Sequence, residues 1–234
     1  MKRRFWLAAP LAVLLGAMVA FGALGVGRRS RRFSWGLGHD QGQGQGQALP
    51  VFGTVPSFRL TDQRGQTVTA ADLHGRVWVA NFMFTSCAGV CPVLTRRMVE
   101  VQRWAERAGY PATALRLVSF SVEPERDTPE RLASFAQEHG ADAARWSFLT
   151  GPYEAVERAA VEGFKQGLSR ERPGPGEPPG DGLEGINIFH GTRLVLVDRE
   201  GRIRGYYEAD AEGLGRLEEA AAQLLRGGSE SLRS

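Results

Sequence analysis

Val77-Trp-Val-Ala-Asn-Phe-Met-Phe84 runs directly into Thr85-Ser-Cys-Ala-Gly-Val-Cys-Pro92. The first half is an almost unbroken apolar run of strand length, which predicts a central strand buried on both faces. The second half holds both cysteines of the chain, Cys87 and Cys91, with a proline directly after them. Beyond Pro92, residues Leu94, Met98, Val101 and Ala105 recur at three- and four-residue spacing. This pattern predicts a helix that begins at the motif and ends near Gly109.

Working outward, Ser57–Thr61 and Gln66–Thr69 flank Asp62-Gln-Arg-Gly65, a hairpin signal. A second apolar strand, Leu115–Val122, leads to Asp127-Thr-Pro-Glu130, where Pro129 suits the first position of a helix. A short strand is expected at Trp146–Leu149 and a third helix over Pro152–Phe164. Residues 165–185 include Arg172-Pro-Gly-Pro-Gly-Glu-Pro-Pro-Gly180 and are expected to be an irregular insertion. A final hairpin, Thr192–Asp198 and Arg202–Tyr207, precedes a last helix over 211–226. The order predicts an α/β domain with a mixed central sheet flanked by helices, plus an N-terminal hairpin and the Pro/Gly-rich insertion.

The formal charge is +3, which invites a nucleic-acid reading until the positions are inspected. Lys2, Arg3, Arg4, Arg28, Arg29, Arg31 and Arg32 all precede the first acid, Asp40. Without those seven, 22 basic residues face 26 acidic ones, a net charge of −4, so the folded part has no basic footprint for nucleic acid. The early basic residues instead bracket an apolar run, Phe5–Val26, whose helical length of about 33 Å would cross a bilayer core of about 30 Å. Residues 1–32 are therefore expected to be a membrane anchor or signal segment, the anchor being favoured by arginines where a cleavage site would stand. The repeat Gln41-Gly-Gln-Gly-Gln-Gly-Gln47 makes 33–50 a flexible linker. The globular domain is expected over 51–226, with a disordered tail at 227–234.

Two cysteines so close together add little as a staple for a core of this size. A thiolate at a helix N-terminus is stabilised by unpaired N–H groups and the helix dipole, which makes Cys87 reactive toward disulfides and soft metals alike. The three-residue gap puts both sulfurs on one helix face, where a redox disulfide or a shared metal ion would fit. Two soft sulfurs favour Cu(I), and a closed site calls for a third ligand. Of the four histidines, His39 lies in the linker, His74 in a turn and His139 at a helix end. His190, in Ile188-Phe-His-Gly191 just before a strand, is the candidate.

A cysteine pair between a strand and its helix is the thioredoxin arrangement. Thr85-Ser-Cys-Ala-Gly-Val-Cys-Pro92, then Ser121-Val-Glu-Pro-Glu-Arg-Asp-Thr-Pro129, then His190 ahead of a strand ending in Val197-Asp198, resembles the SCO/SenC family of membrane-tethered, thioredoxin-like copper proteins. The resemblance spans residues 51–226. It implies copper held by Cys87, Cys91 and His190, as Cu(I) with Cu(II) as the other oxidation state. It also implies delivery to the copper-bearing subunit of cytochrome c oxidase, or exchange with another copper carrier. The domain would face the periplasm from a single span, residues 5–26, in a bacterial cytoplasmic membrane. Two positions depart from the family pattern: Glu123 stands where aspartate is common before the proline, and Phe189 stands where aspartate is common before the histidine.

On this reading the chain is a metallochaperone and not a turnover enzyme. The other reading from the same pair is a membrane-tethered thiol-disulfide oxidoreductase that reduces partner cysteines. Against it stand the longer cysteine gap and His190-Gly191 where a thioredoxin would place proline. A peroxidase on the same scaffold would have its threonine three residues before the reactive cysteine, whereas Thr85 is two before Cys87.

Overall fold

The computed structural model describes residues 48–86, 91–165, 169–171, 187–189 and 193–230. In chain order the strands and helices are β1 (Gly53–Thr54), β2 (Arg59–Asp62), β3 (Thr67–Thr69), β4 (Val77–Met83), α1 (Cys91–Arg107), β5 (Leu115–Ser121) and α2 (Pro129–Glu138). They continue with β6 (Trp146–Thr150), α3 (Tyr153–Glu157), β7 (Ser169–Glu171), β8 (Asn187–Phe189), β9 (Arg193–Val197), β10 (Arg202–Glu208) and α4 (Ala211–Glu230). Eight strands form one sheet in the order β1-β10-β9-β4-β5-β6-β2-β3.

The apolar run that predicted a central strand is β4, and all seven of its residues are buried. It pairs in parallel with β5 and antiparallel with β9. The chain leaves it through α1 to β5 and then through α2 to β6, also parallel. Two right-handed crossovers moving the same way across a sheet place their helices on the same face. Accordingly, Gln102 of α1 donates to the Gly140 carbonyl beyond α2 (3.1 Å) and accepts from the Asp142 N–H (2.9 Å).

Both helices stop in the same way. After α1, Gly109 at φ +74° lets its N–H reach the Glu106 carbonyl and the Tyr110 N–H reach that of Ala105. After α2, Gly140 at φ +67° does the same with Gln137 and Ala136. A side chain at either left-handed position would strain the turn that satisfies these orphan carbonyls.

Strand register decides what each face of the sheet carries. Phe82 lies beside Phe120 with their rings stacked at 5.1 Å, and Phe164 meets both edgewise or tilted at 5.3 and 5.4 Å. The opposite face brings Asn81 beside Ser119 and Met83 beside Ser121. Phe135 of α2 packs there on Phe148. The sheet is thus covered on both sides. Trp78 and Trp146 are core residues, and Trp104 packs against the core, as expected.

Phe164 reaches its cluster through a feature absent from the sequence reading. The helix expected over 152–164 changes after Glu157 into a π-helical turn, Arg158–Gly163, and the Phe164 N–H bonds the Ala159 carbonyl five residues back. The extra residue swings the ring inward. Gly163 sits against Pro56, whose Cδ would lie 2.2 Å from an added Cβ. Gly163→Ala should therefore destabilise the fold by about 1–3 kcal/mol, seen as a thermal midpoint lower by several degrees; an unchanged midpoint would show that Pro56 can yield.

Two further expectations need correction. The segment 165–185 is not irregular throughout, because Ser169–Glu171 pairs antiparallel with Asn187–Phe189 as a separate two-stranded ladder. The last helix also runs past Arg226 to Glu230.

At the far edge of the sheet β2 pairs with β6 only at Thr61–Thr150 and Asp62–Leu149. Beyond that point the buried Gln63 side chain takes over. Its amide donates to the Trp146 carbonyl (2.9 Å) and accepts from the Phe148 N–H (2.8 Å), so a side chain completes the pairing that a longer β2 would supply.

Candidate metal centre

β4 changes partners where the sheet order reverses, with β5 on one side and β9 on the other. The carboxyl end of such a strand opens a crevice that open α/β sheets use for binding. Here that end leads into the cysteine segment. The last ladder bond runs from the Val122 N–H to the Met83 carbonyl (2.9 Å). Phe84 is then buried at 1% exposure, Thr85 and Ser86 form a turn, and α1 starts at Cys91.

Cys91 is 2% exposed and sits in the first turn of α1, where backbone N–H groups and the helix dipole favour a thiolate. Pro92 follows it at a position where a missing N–H is no loss. Cys87 and His190 lie outside the described residues. The chain leading to and from them is described. β9 runs antiparallel to β4 with Ala80 opposite Val195 and Trp78 opposite Val197, so the start of β9 lies alongside the end of β4. The strand that leads into Cys87 and the strand that follows His190 thus meet at the same end of the sheet.

Among the described residues, no cluster of three or more histidine, cysteine or acidic side chains forms a metal site. His39 is outside that set. His74 and His139 have the local settings expected of them, His74 ending a short helical turn and His139 ending α2 with its ring 4.3 Å from Phe135.

Two carboxylates hold the segment ahead of Cys87. Asp127, fully buried, accepts from the Thr85 hydroxyl (2.5 Å), the Thr85 N–H (3.1 Å) and the Ser121 hydroxyl (2.5 Å). Glu123, also fully buried, accepts from the Ser86 hydroxyl (2.7 Å), while its own N–H donates to the Ser121 hydroxyl (3.2 Å). Arg131 donates from Nε to the Thr85 hydroxyl (2.6 Å), with Asp127 at 3.9 Å.

The sequence reading placed a helix start at Asp127-Thr-Pro-Glu130, and Thr128 does cap α2, its hydroxyl accepting from the Arg131 N–H. It missed that the preceding carboxylate turns inward to Thr85. The signal available was the pairing of two hydroxyl residues before Cys87 with two acids in the second segment.

A sequence model of the SCO1/SenC family matches residues 48–225. The chain belongs to the SCO1/SenC family. Solved relatives place its fold in the same class. A SCO1/SenC family lipoprotein from Bacillus anthracis is 30% identical with a TM-score of 0.64, over 76% of this chain and 99% of its own. ScoI from Bradyrhizobium japonicum, solved with copper bound, is 26% identical with a TM-score of 0.57, over 74% and 98%. BsSco belongs to the Sco family of cytochrome c oxidase assembly proteins, and its structure identified a disulfide switch; it is 26% identical with a TM-score of 0.60, over 76% and 99%. The mixed sheet flanked by helices is the thioredoxin-like architecture of the SCO1/SenC family.

Within this SCO1/SenC chain the first departure from the family pattern has a clear setting. Glu123 is one methylene longer than aspartate and reaches the Ser86 hydroxyl. Phe189, the second departure, ends β8 opposite Ser169.

Proposed function

We propose that this protein binds Cu(I) through the thiolates of Cys87 and Cys91 and the imidazole of His190, and passes it to the dinuclear copper site of cytochrome c oxidase. The single observation that supports the reading is that β4, the strand leading into Cys87, and β9, the strand following His190, meet at one end of the sheet. The donor set suits the metal. Two thiolates and a neutral imidazole match the soft, low-coordinate preference of Cu(I), and a bound cation would further favour the thiolate form at the buried Cys91. Copper is the cargo, so the site must release it, and two thiolates from a partner could displace Cys87 and Cys91 one at a time. Supporting this reading are the copper-bound structure of the Bradyrhizobium relative and the membership of BsSco among cytochrome c oxidase assembly proteins.

On the same reading the domain, 51–226, stands outside a bacterial cytoplasmic membrane, held by the apolar run 5–26 and the linker 33–50. Among the described residues no helix is long and apolar enough to cross a membrane, and the run itself precedes them. The Bacillus anthracis relative is a lipoprotein, whereas here no cysteine precedes Cys87.

Anaerobic Cu(I) titration of the reduced full-length chain in detergent, against a competing chelator, tests the proposal. One equivalent should bind, and His190→Ala should bind clearly more weakly. Unchanged affinity in His190→Ala would remove the third ligand. Failure of the wild type to compete would replace copper delivery by thiol-disulfide exchange with partner cysteines, the second reading, which the disulfide switch of BsSco supports.

A further inference from the structure

We propose that Asp127 is a positioning residue for the cysteine pair: its buried carboxylate fixes Thr85, and through it the approach of Cys87 to Cys91. The inference rests on the copper reading above for one of its two readouts. Its basis is the way strands β4 and β5 part. After the bond from the Val122 N–H to the Met83 carbonyl their ladder ends, and two residues on, the Thr85 N–H bonds Asp127. The carboxylate therefore continues the sheet's hydrogen bonding into the loop.

The mounting of that carboxylate is rigid. Its own N–H and that of Arg126 both donate to the Glu123 carbonyl (2.9 Å each), and Thr128 beside it caps α2. Ser121 holds one oxygen from β5, and Thr85 bonds the other through its hydroxyl. Arg131, half-exposed on α2, closes the arrangement from outside by donating to the same Thr85 hydroxyl. Three elements thus define where Thr85 lies, and Cys87 follows two residues later. A cysteine pair whose separation must suit one metal ion or one disulfide depends on such outer support.

The test uses the full-length chain in detergent with two readouts. In Cu(I) competition under reducing, anaerobic conditions, Asp127→Ala should weaken binding about 10- to 100-fold, the range for lost support around a metal site. Asp127→Asn, which keeps an acceptor for Thr85, should recover most of it. In exchange with glutathione, one protein disulfide plus two thiols gives the dithiol plus oxidised glutathione. Here Asp127→Ala should shift the equilibrium about tenfold toward the dithiol, or about 30 mV, because a loosened loop no longer holds the sulfurs together.

Thermal denaturation of each apo variant separates loss of positioning from loss of fold. If Asp127→Ala does not fold, Thr85→Val, of the same shape but without the hydroxyl, should show a shift of about tenfold at the lower end of the same range. A folded Asp127→Ala with wild-type copper affinity and wild-type exchange equilibrium would overturn the proposal. So would Asn behaving as badly as Ala. If the wild type takes up no copper, the copper reading falls, and the exchange equilibrium alone then decides whether Asp127 positions the pair.

Discussion

Cys91→Ala should abolish stoichiometric Cu(I) binding while leaving the domain folded. Cys91 is nearly inaccessible and lies in the first turn of α1, with Leu94 and Met98 buried on the same helix. Removing its sulfur leaves a void of roughly one heavy atom, and the stability lost should be about 1 kcal/mol. Its effect on the metal should be far larger. Loss of support around a site costs about 10- to 100-fold in affinity, so loss of a ligand should exceed about 100-fold. The same variant cannot form the intramolecular disulfide, so both readings of the pair predict a defect, and the copper titration tells them apart. Near-normal Cu(I) affinity in a folded Cys91→Ala protein would remove this cysteine from the metal site.

The second large effect concerns stability where the first described residues meet β10. Arg204 and Asp198 form a buried ion pair at 2.7 Å, with side-chain exposures of 8% and 4%. Arg204 also donates from Nε to the Pro50 carbonyl (3.0 Å) and from Nη2 to that of Leu49. One guanidinium thereby holds the first described residues of the chain onto β10. Truncating one partner of a buried pair leaves the other charge uncompensated, so Arg204→Ala should destabilise by about 3–5 kcal/mol. The lower end is expected because Arg202 still donates to Asp198 (2.8 Å). At about 2–4 °C per kcal/mol for a domain of this size, the midpoint should fall by at least about 6 °C.

The pair also sets an acid dependence. Burial pushes the Asp198 carboxyl up, but hydrogen bonds from Arg204 and Arg202 outweigh it and hold the group below the ordinary carboxylate range. A carboxyl lowered on folding contributes stability above its unfolded pKa of about 3.9, and that contribution is lost as pH falls through its folded value. In Arg204→Ala one lowering contact is gone, so the variant should lose stability at higher pH than the wild type does. Urea denaturation between pH 2 and 7 measures this; superimposable acid limbs, offset only by a constant, would contradict it.

Much of the scaffold was legible because its signals are local. β4 announces itself by seven consecutive buried residues, α1 by its three-and-four spacing, and α2 by Thr128 and Pro129. What escaped depends on tertiary context. β7 and β8 are three residues each, too short to carry a period of two, and their pairing spans the Pro/Gly-rich stretch. The π-helical turn exists because Phe164 has partners on β4 and β5, which no local pattern records. The bonds from Thr85 to Asp127 and from Ser86 to Glu123 join residues 42 and 37 positions apart. Of the candidate ligands, Cys91 falls where the motif put it, and Cys87 and His190 lie outside the described residues.

Gln63 has a consequence beyond the fold of one molecule. An edge strand with open N–H and carbonyl groups is a template for strand addition by another chain. The groups of Trp146 and Phe148 on β6 that β2 leaves uncovered are occupied by a side-chain amide, which offers no continuing backbone for a foreign strand to extend. The outer strands β1 and β3 are only two and three residues long. At high local concentration these blunted margins favour the protein's remaining a set of separate molecules.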